Sequence, residues 1–181
     1  MEPNPVKTSE ASGLLREMAR LAGRIAQNDG LTPTPLPFLQ VSRFDRPTAI
    51  NFGILQPSVG LIVQGRKRVQ VGQDVLDYGP GHYCAAVLDL PVVSQIVEAS
   101  PAAPYLAVRI ALDPGEIAAI IVEAQLQLAG GSRTNPGRAA FVGRSDARLQ
   151  DCLLRLLRLL DEPQDAAFLA EGMKRELIYR R

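Results

Sequence analysis

Between Pro57 and Leu112 the chain is a train of short apolar runs, each broken by Gly, Pro or Asp before a helix could form. Val59 to Val63 is one run, Gln64-Gly65-Arg66-Lys67 reads as a hairpin turn, and Arg68 to Val71 as the returning strand. Gly72-Gln73-Asp74 makes the next turn, Val75 to Tyr78 a short strand, and Gly79-Pro80-Gly81 another turn before His82 to Leu88. Pro91 to Glu98 and Tyr105 to Leu112 are two more strands, separated by Ala99-Ser100-Pro101-Ala102-Ala103-Pro104. Many short strands expose many unpaired edges, and closure removes them. The expected product is a small β-barrel with a hollow centre.

Helical patterning flanks this train. After a loose tail, Met1 to Lys7, order is expected from Thr8 or Ser9. Leu14, Leu15, Met18, Leu21, Ala22 and Ile25 share one side of a helix that Asn28-Asp29-Gly30 ends. Pro33, Pro35 and Pro37 mark residues 31 to 37 as a linker or extended arm, and Phe38 to Phe44 as a first strand ended by Asp45-Arg46-Pro47. After Asp113 the period changes to 3.6: Asp113-Pro114-Gly115-Glu116 supplies a cap, and Ile117, Ile120, Ile121, Ala124 and Leu128 a buried stripe. Gly130-Gly131-Ser132 stops that helix, and residues 130 to 138 read as a mobile loop.

Ser145 is the expected cap of a second helix reaching Pro163, with Leu149, Cys152, Leu153, Leu156, Leu157 and Leu160 on one face. Within that face Leu149, Leu153, Leu156 and Leu160 have coiled-coil spacing, and Leu154 and Leu159 lie off it. So wide an apolar surface predicts a second partner, with burial inside one subunit as the alternative. Ala166, Leu169, Ala170, Met173 and Leu177 continue helical spacing towards Arg181 without a stop signal, so the natural chain is expected to continue. The fold class is α+β, with a helix and proline-rich arm over 1–37, a barrel over 38–112 and a helical segment over 113–181.

Charge narrows the partners. Twenty Lys and Arg against 19 Asp and Glu leave no overall field to grip a phosphate backbone or an anionic bilayer, so this piece is not expected to hold DNA by itself. Cys84 and Cys152 lack ligand spacing and read as reduced core residues. No leader-like N-terminal block occurs, and no apolar stretch approaches the roughly 18 residues that cross a bilayer, which predicts a soluble cytoplasmic protein.

The run Pro57-Ser58-Val59-Gly60-Leu61-Ile62-Val63-Gln64-Gly65-Arg66-Lys67-Arg68 is followed by Val71-Gly72, Tyr78-Gly79-Pro80-Gly81, Leu90-Pro91 and Glu98-Ala99-Ser100-Pro101. With Pro104-Tyr105-Leu106 and Leu112-Asp113, it resembles the N-terminal domain of one branch of the AraC family of bacterial transcriptional regulators, from about residue 10 to the end. The resemblance implies a cupin-like barrel (a double-stranded β-helix) that senses a small molecule or mediates assembly. It further implies helices that form a homodimer, and DNA binding through a C-terminal pair of helix-turn-helix motifs that this sequence does not contain.

Cupin enzymes hold a divalent metal through two or three imidazoles and a carboxylate, because such metals need neutral nitrogen donors. His82 is the one histidine, so neither a metal nor any other cofactor is expected, and no Ser-His or Cys-His pairing suggests a nucleophile. Binding is therefore favoured over catalysis. In Arg66-Lys67-Arg68 the alternatives are contact with an anion and a solvated turn; Lys67 is assigned to the turn, while Gln64 and Arg66, which carry the resemblance, stay ligand candidates. Along Tyr105 to Leu112, alternation puts Leu106, Val108, Ile110 and Leu112 on one face and Tyr105, Ala107, Arg109 and Ala111 on the other. If the small-residue face lines the barrel, Arg109 and Tyr105 offer a cation and a phenol to a ligand; if it faces out, they are surface residues. His82 and Tyr83 complete the candidates, and Tyr78 is read as packing at a strand end.

The reading is a non-catalytic ligand-sensing and dimerisation domain of an AraC-type regulator, with an unidentified small-molecule effector. A cupin-type isomerase or oxygenase, and a pure dimerisation module with a filled barrel, are the rivals.

Overall fold

The computed structural model describes residues 5–116, 118 and 140–179. Helix α1 (Pro5–Ile25) leads into β1 (Gly30–Pro33) and β2 (Leu39–Phe44), followed by β3 (Asn51–Leu55), β4 (Ser58–Gln64), β5 (Arg66–Val71) and β6 (Asp74–Tyr78). Then come β7 (His82–Ala86), β8 (Leu90–Glu98), β9 (Tyr105–Ala111) and β10 (Ala140–Arg144), and finally helices α2 (Ala147–Leu159) and α3 (Pro163–Tyr179). The helix expected to follow Asp113 is described only at its start, and the expected loop over 130–138 lies outside the described residues. At that start the predicted cap is present: Asp113 Oδ1 accepts from the Gly115 amide at 2.7 Å and Glu116 Oε2 from the Asp113 amide at 3.1 Å.

The strands form two antiparallel sheets rather than one closed barrel. One has six strands in the order β1-β2-β9-β4-β7-β10, the other four in the order β3-β8-β5-β6. Here the expected hairpin at Gln64-Gly65-Arg66-Lys67 is corrected, because β4 and β5 belong to different sheets and do not pair. Gly65 alone makes the corner, with φ of 77°, and the chain passes from one sheet to the other through it. A Cβ at this position would lie 2.6 Å from the Glu98 carbonyl oxygen and 2.9 Å from Tyr105 Cα, so only glycine fits.

Three further strands depart from the expected pattern. The proline-rich arm contains β1, whose backbone pairs with β2 from Gly30↔Arg43 to Pro33↔Gln40. Thr34 ends it by donating its hydroxyl to the Leu39 carbonyl at 2.8 Å. Strand β3 was not expected; it pairs with β8 and leaves Ile50, Phe52 and Ile54 exposed nearby or along its length. Strand β10 lies within the segment read as helical and pairs with β7 from Ala140↔Ala86 to Arg144↔His82.

Strands β4 and β9 are buried on both faces. Their outer face carries Val59, Leu61, Val63, Leu106, Val108 and Ile110 into the core shared with the helices. There Met18, Leu21 and Ala22 of α1 meet Leu153, Leu156 and Leu157 of α2 and Leu177 of α3, all of them at most 2% exposed. Burying a side chain of this size contributes about 1.5–3 kcal/mol, so this layer holds the larger share of the stability. The inner face turns Ile62, Tyr105 and Ala107 towards Val69, Tyr78 and Ile96 of the second sheet, forming a separate, smaller cluster.

Asp146, not Ser145, caps α2, accepting from the Leu149 amide at 2.8 Å. Ser145 instead donates its hydroxyl to the Gly81 carbonyl at 2.7 Å and accepts from Gln150 Nε2 at 2.9 Å, a buried polar peg between α2 and the turn before β7. At the other end, the buried Lys174 of α3 pairs with Glu116 at 2.7 Å and stands over the Phe38 ring. Replacing Gly65 by alanine should lower stability by about 2 kcal/mol or more, read as a lower urea midpoint, because it strains both backbone and contacts at the sheet corner; an unchanged midpoint would contradict this account of the corner.

Candidate functional site

Alternation along β9 resolves where its two faces point. Leu106, Val108 and Ile110 enter the helical core, while Tyr105 and Ala107 enter the cluster between the sheets. Arg109 is on the second face and only partly exposed; its Nη1 donates to Gln40 Oε1 of β2 at 2.7 Å. Across the gap, β5 starts at Arg66, so Lys67 falls on the same side as Val69 and faces inward. Its register partners are Tyr78 on β6 and Ile96 on β8, both buried in the inter-sheet cluster. The assignment of Lys67 to a solvated turn is thus corrected.

These cations sit in a setting that disfavours charge. Burial lowers the pKa of Lys67 below that of a free lysine; the Cys84 thiol opposes this and Arg109 adds to it. Burial likewise lowers Arg109. Cys84, Tyr78 and Tyr105 stand beside them, and burial raises all three. The phenol of Tyr78 is hydrogen-bonded to the Cys84 thiol, which adds to the rise on Tyr78 and opposes the rise on Cys84. Tyr105 also meets Phe44 at 6.4 Å between ring centroids.

The inter-sheet interior leaves room beside one strand position, Gly60. Gly60 of β4 is paired with Arg109 on one side and Cys84 on the other, and shares its face with the inward Ile62. A Cβ built on Gly60 would meet nothing within 4 Å. The position directly between the guanidinium-bearing strand and the thiol-bearing strand is therefore open space.

The other sequence candidates divide. His82 is on the same side of β7 as Cys84, and its buried Nδ1 has no hydrogen-bond partner among the described residues. Tyr83 points the opposite way, into the helical side, where its ring meets Phe141 edge-on at 6.0 Å and lies 2.6 Å from where a Gly143 Cβ would stand. Gln64 ties the end of β4 to the start of β9 by donating to the Pro104 carbonyl at 2.7 Å. Arg66 is exposed on the outer face of its sheet and shares Asp77 with Arg68, at 3.2 and 2.7 Å. Those hydrogen bonds, from Arg68 above all, hold the Asp77 carboxyl below its usual range. Structure thus gathers Tyr105, Arg109 and His82 on inward faces and leaves Gln64, Arg66 and Tyr83 outside. Lys67, Cys84, Tyr78 and Gly60 complete the inner site, and sequence reasoning missed them as a group. The signal was present in the alternation Lys67, Val69, Val71, once the turn is confined to Gly65.

The predicted dimer residues are also placed. Leu149, Leu153 and Leu156 are at most 4% exposed, and Leu160 packs against the same core. Their stripe packs against α1 and α3 of the same chain. Among the described residues, no group of three His, Cys, Asp or Glu side chains is placed to hold a metal ion. A shallow groove between α1 and the first sheet is lined by Leu15, Arg16, Ala19 and Arg20 with Gln64 and Pro104, and includes none of the inner-site residues.

Two antiparallel sheets backed on one side by helices, with polar groups turned into the gap, define a domain of the mixed helix and antiparallel-sheet class. The chain belongs to the family of AraC-type transcriptional regulator N-terminal domains, whose family model matches residues 35–180. It is accordingly a regulatory domain of such a regulator. Among solved structures it is similar to the AraC-like transcriptional activator CuxR, at 15% identity and a TM-score of 0.44, over 91% of this chain and 64% of that one. Apo ToxT from Vibrio cholerae is 9% identical with a TM-score of 0.45, over 82% and 59% of the two chains. Salicylate 1,2-dioxygenase from Pseudoaminobacter salicylatoxidans is 12% identical with a TM-score of 0.35, over 84% and 53%. The chain spans about three fifths of the length of the two regulators it matches. Comparison with curated proteins gives no match. No helix among the described residues is long and apolar enough to cross a membrane.

Lys67 yields a stability prediction with a definite sign. Its folded-state pKa is lowered, so the folded chain binds a proton less readily than the unfolded one. Its ammonium therefore costs stability at neutral pH, and the cost fades as pH rises through the lowered pKa towards the ordinary lysine value. Lys67→Met should raise Tm at pH 7 by about 2–4 °C, the change that ~1 kcal/mol produces at this chain length. The gap between variant and wild type should narrow towards pH 10; a gap independent of pH would contradict the inward placement.

Proposed function

We propose that this domain is the non-catalytic receptor part of its regulator, and that a small organic effector binds between the two sheets. The observation that carries this reading is the open space at Gly60, bordered by Arg109 and Cys84 and faced by Lys67. A module whose barrel is filled by its own side chains has no reason to leave that position empty or to turn two cations into it. Enzymatic cupin chemistry needs a set of donors, and the inner site offers one imidazole.

Strands β4 and β9 provide the route outward. Each alternates residues that face the gap with residues that pack on α1 and α2, so an effector pressing on Gly60 or Arg109 displaces Val59, Leu61 and Val108 as well. In this proposal effector binding favours one arrangement of sheet and helices over another, which alters how DNA-binding parts outside this sequence are presented in the cytoplasm. Pairing of two copies belongs to the same proposal, through surfaces other than the packed leucine stripe. The outer side of α3, where Phe168 is 87% exposed beside Leu169, is one such surface.

Thermal unfolding across a panel of small metabolites tests the receptor reading. A true effector at about 100 times its Kd adds about 2.7 kcal/mol, or roughly 5–10 °C in Tm. Gly60→Val, which fills the open position with a residue that suits a strand, should fold normally and lose that shift. A panel without any stabilising compound, or a Gly60→Val variant that responds like wild type, would overturn the proposal.

A further inference from the structure

We propose that the effector is a small organic monocarboxylate, whose carboxylate is held between the Lys67 ammonium and the Arg109 guanidinium while its apolar body lies along Ile62, Val69 and Ile96. This deepens the receptor reading and rests on it. The two cations approach from opposite walls: Lys67 from β5 in the four-stranded sheet, Arg109 from β9 in the six-stranded one. They are close enough to repel each other. Among the described residues neither makes an ion pair, and no carboxylate acts on either. Asp77, which on the neighbouring β6 precedes Tyr78, the register partner of Lys67, faces outward and is shared by Arg66 and Arg68.

Two cations facing one gap without a counter-charge destabilise the empty domain, and an anion entering the gap removes that cost. The guanidinium is already oriented for this. Gln40 fixes Nη1 at 2.7 Å, and the open position at Gly60 lies beside Arg109 in the strand register. Both cations offer N–H donors that carboxylate oxygens accept in charge-assisted hydrogen bonds. The backbone amides of a helix N-terminus, which often join such cations around a phosphate ester, are not among the described walls of the gap, which are strands. The remaining walls are aliphatic side chains and the phenols of Tyr78 and Tyr105, which suit a hydrocarbon or aromatic body and not a polyhydroxylated one.

The test uses matched pairs on the chain as it stands: benzoate against benzamide and hexanoate against hexanamide, titrated by calorimetry. At least one acid should bind, and its amide about tenfold or more weakly, since hydrogen bonds to charged groups are worth more than neutral ones. Lys67→Met should weaken the acid by about tenfold or more and leave the amide unchanged, while Lys67→Arg should restore most of the acid's affinity. Melting curves of both variants report that they remain folded. An acid and amide of equal affinity, an acid that binds Lys67→Met as it binds wild type, or no binding of either acid would each overturn this inference. The receptor reading would survive any of these outcomes if the metabolite panel yields a neutral effector that Gly60→Val excludes.

Discussion

Strands β4 and β9 are buried on both faces, and the rest of the molecule is arranged around that fact. A strand with two buried faces must sort its side chains by parity. Here the larger aliphatic residues Val59, Leu61, Val108 and Ile110 go to the helices, and Gly60, Ala107 and Arg109 go to the gap between the sheets. The sorting separates two tasks. Packing against α1, α2 and α3 supplies stability without help from the inner face, which leaves that face free to hold a glycine, a thiol and charges that a packed core would exclude. The corner at Gly65 is what folds the second sheet over this face, since it turns Lys67 inward one residue after β5 begins.

The charge in the gap is costly, and its persistence beside an unfilled position is what separates this interior from an ordinary sandwich core. Burial lowers Lys67 and Arg109 and raises Tyr78, Tyr105 and Cys84, so each of these five groups is pushed towards its neutral form. Such a gap is a poor place for a structural ion pair and a good one for an incoming counter-ion. Features that lower stability in the absence of a ligand are expected at binding sites, where the ligand restores what they cost.

Much of the strand train was legible because its turns are spelled in Gly, Pro and Asp: the hairpin of β5 and β6 and the strands β7, β8 and β9 fall near where the sequence places them. Periodicity alone could not tell a hairpin from a sheet-to-sheet corner, since both need a turn, and that one ambiguity moved Lys67 from the gap to the solvent. Nor could it reveal β1, β3 and β10. Strand β1 carries a proline, β3 is largely exposed and so lacks a buried stripe, and β10 is short and separated from its partner β7 by a long stretch of chain. The leucine stripe of α2 was expected to meet a second partner, with burial inside one subunit as the alternative, and its spacing could not say that α1 and α3 pack against it. Arg109 and Tyr105 were legible as sharing one face of β9, because strand alternation fixes that much. Cys84 and Gly60 were not, because a small residue in a strand carries no sign of the space beside it.

The central claim is that the two sheets enclose an unfilled, positively charged gap. Crystals of the chain soaked in iodide test it most directly, through the anomalous signal of the anion. The account predicts an iodide between the Lys67 ammonium and the Arg109 guanidinium, next to Gly60. A gap closed by the chain's own side chains, with iodide found only on the outer surface, would contradict it.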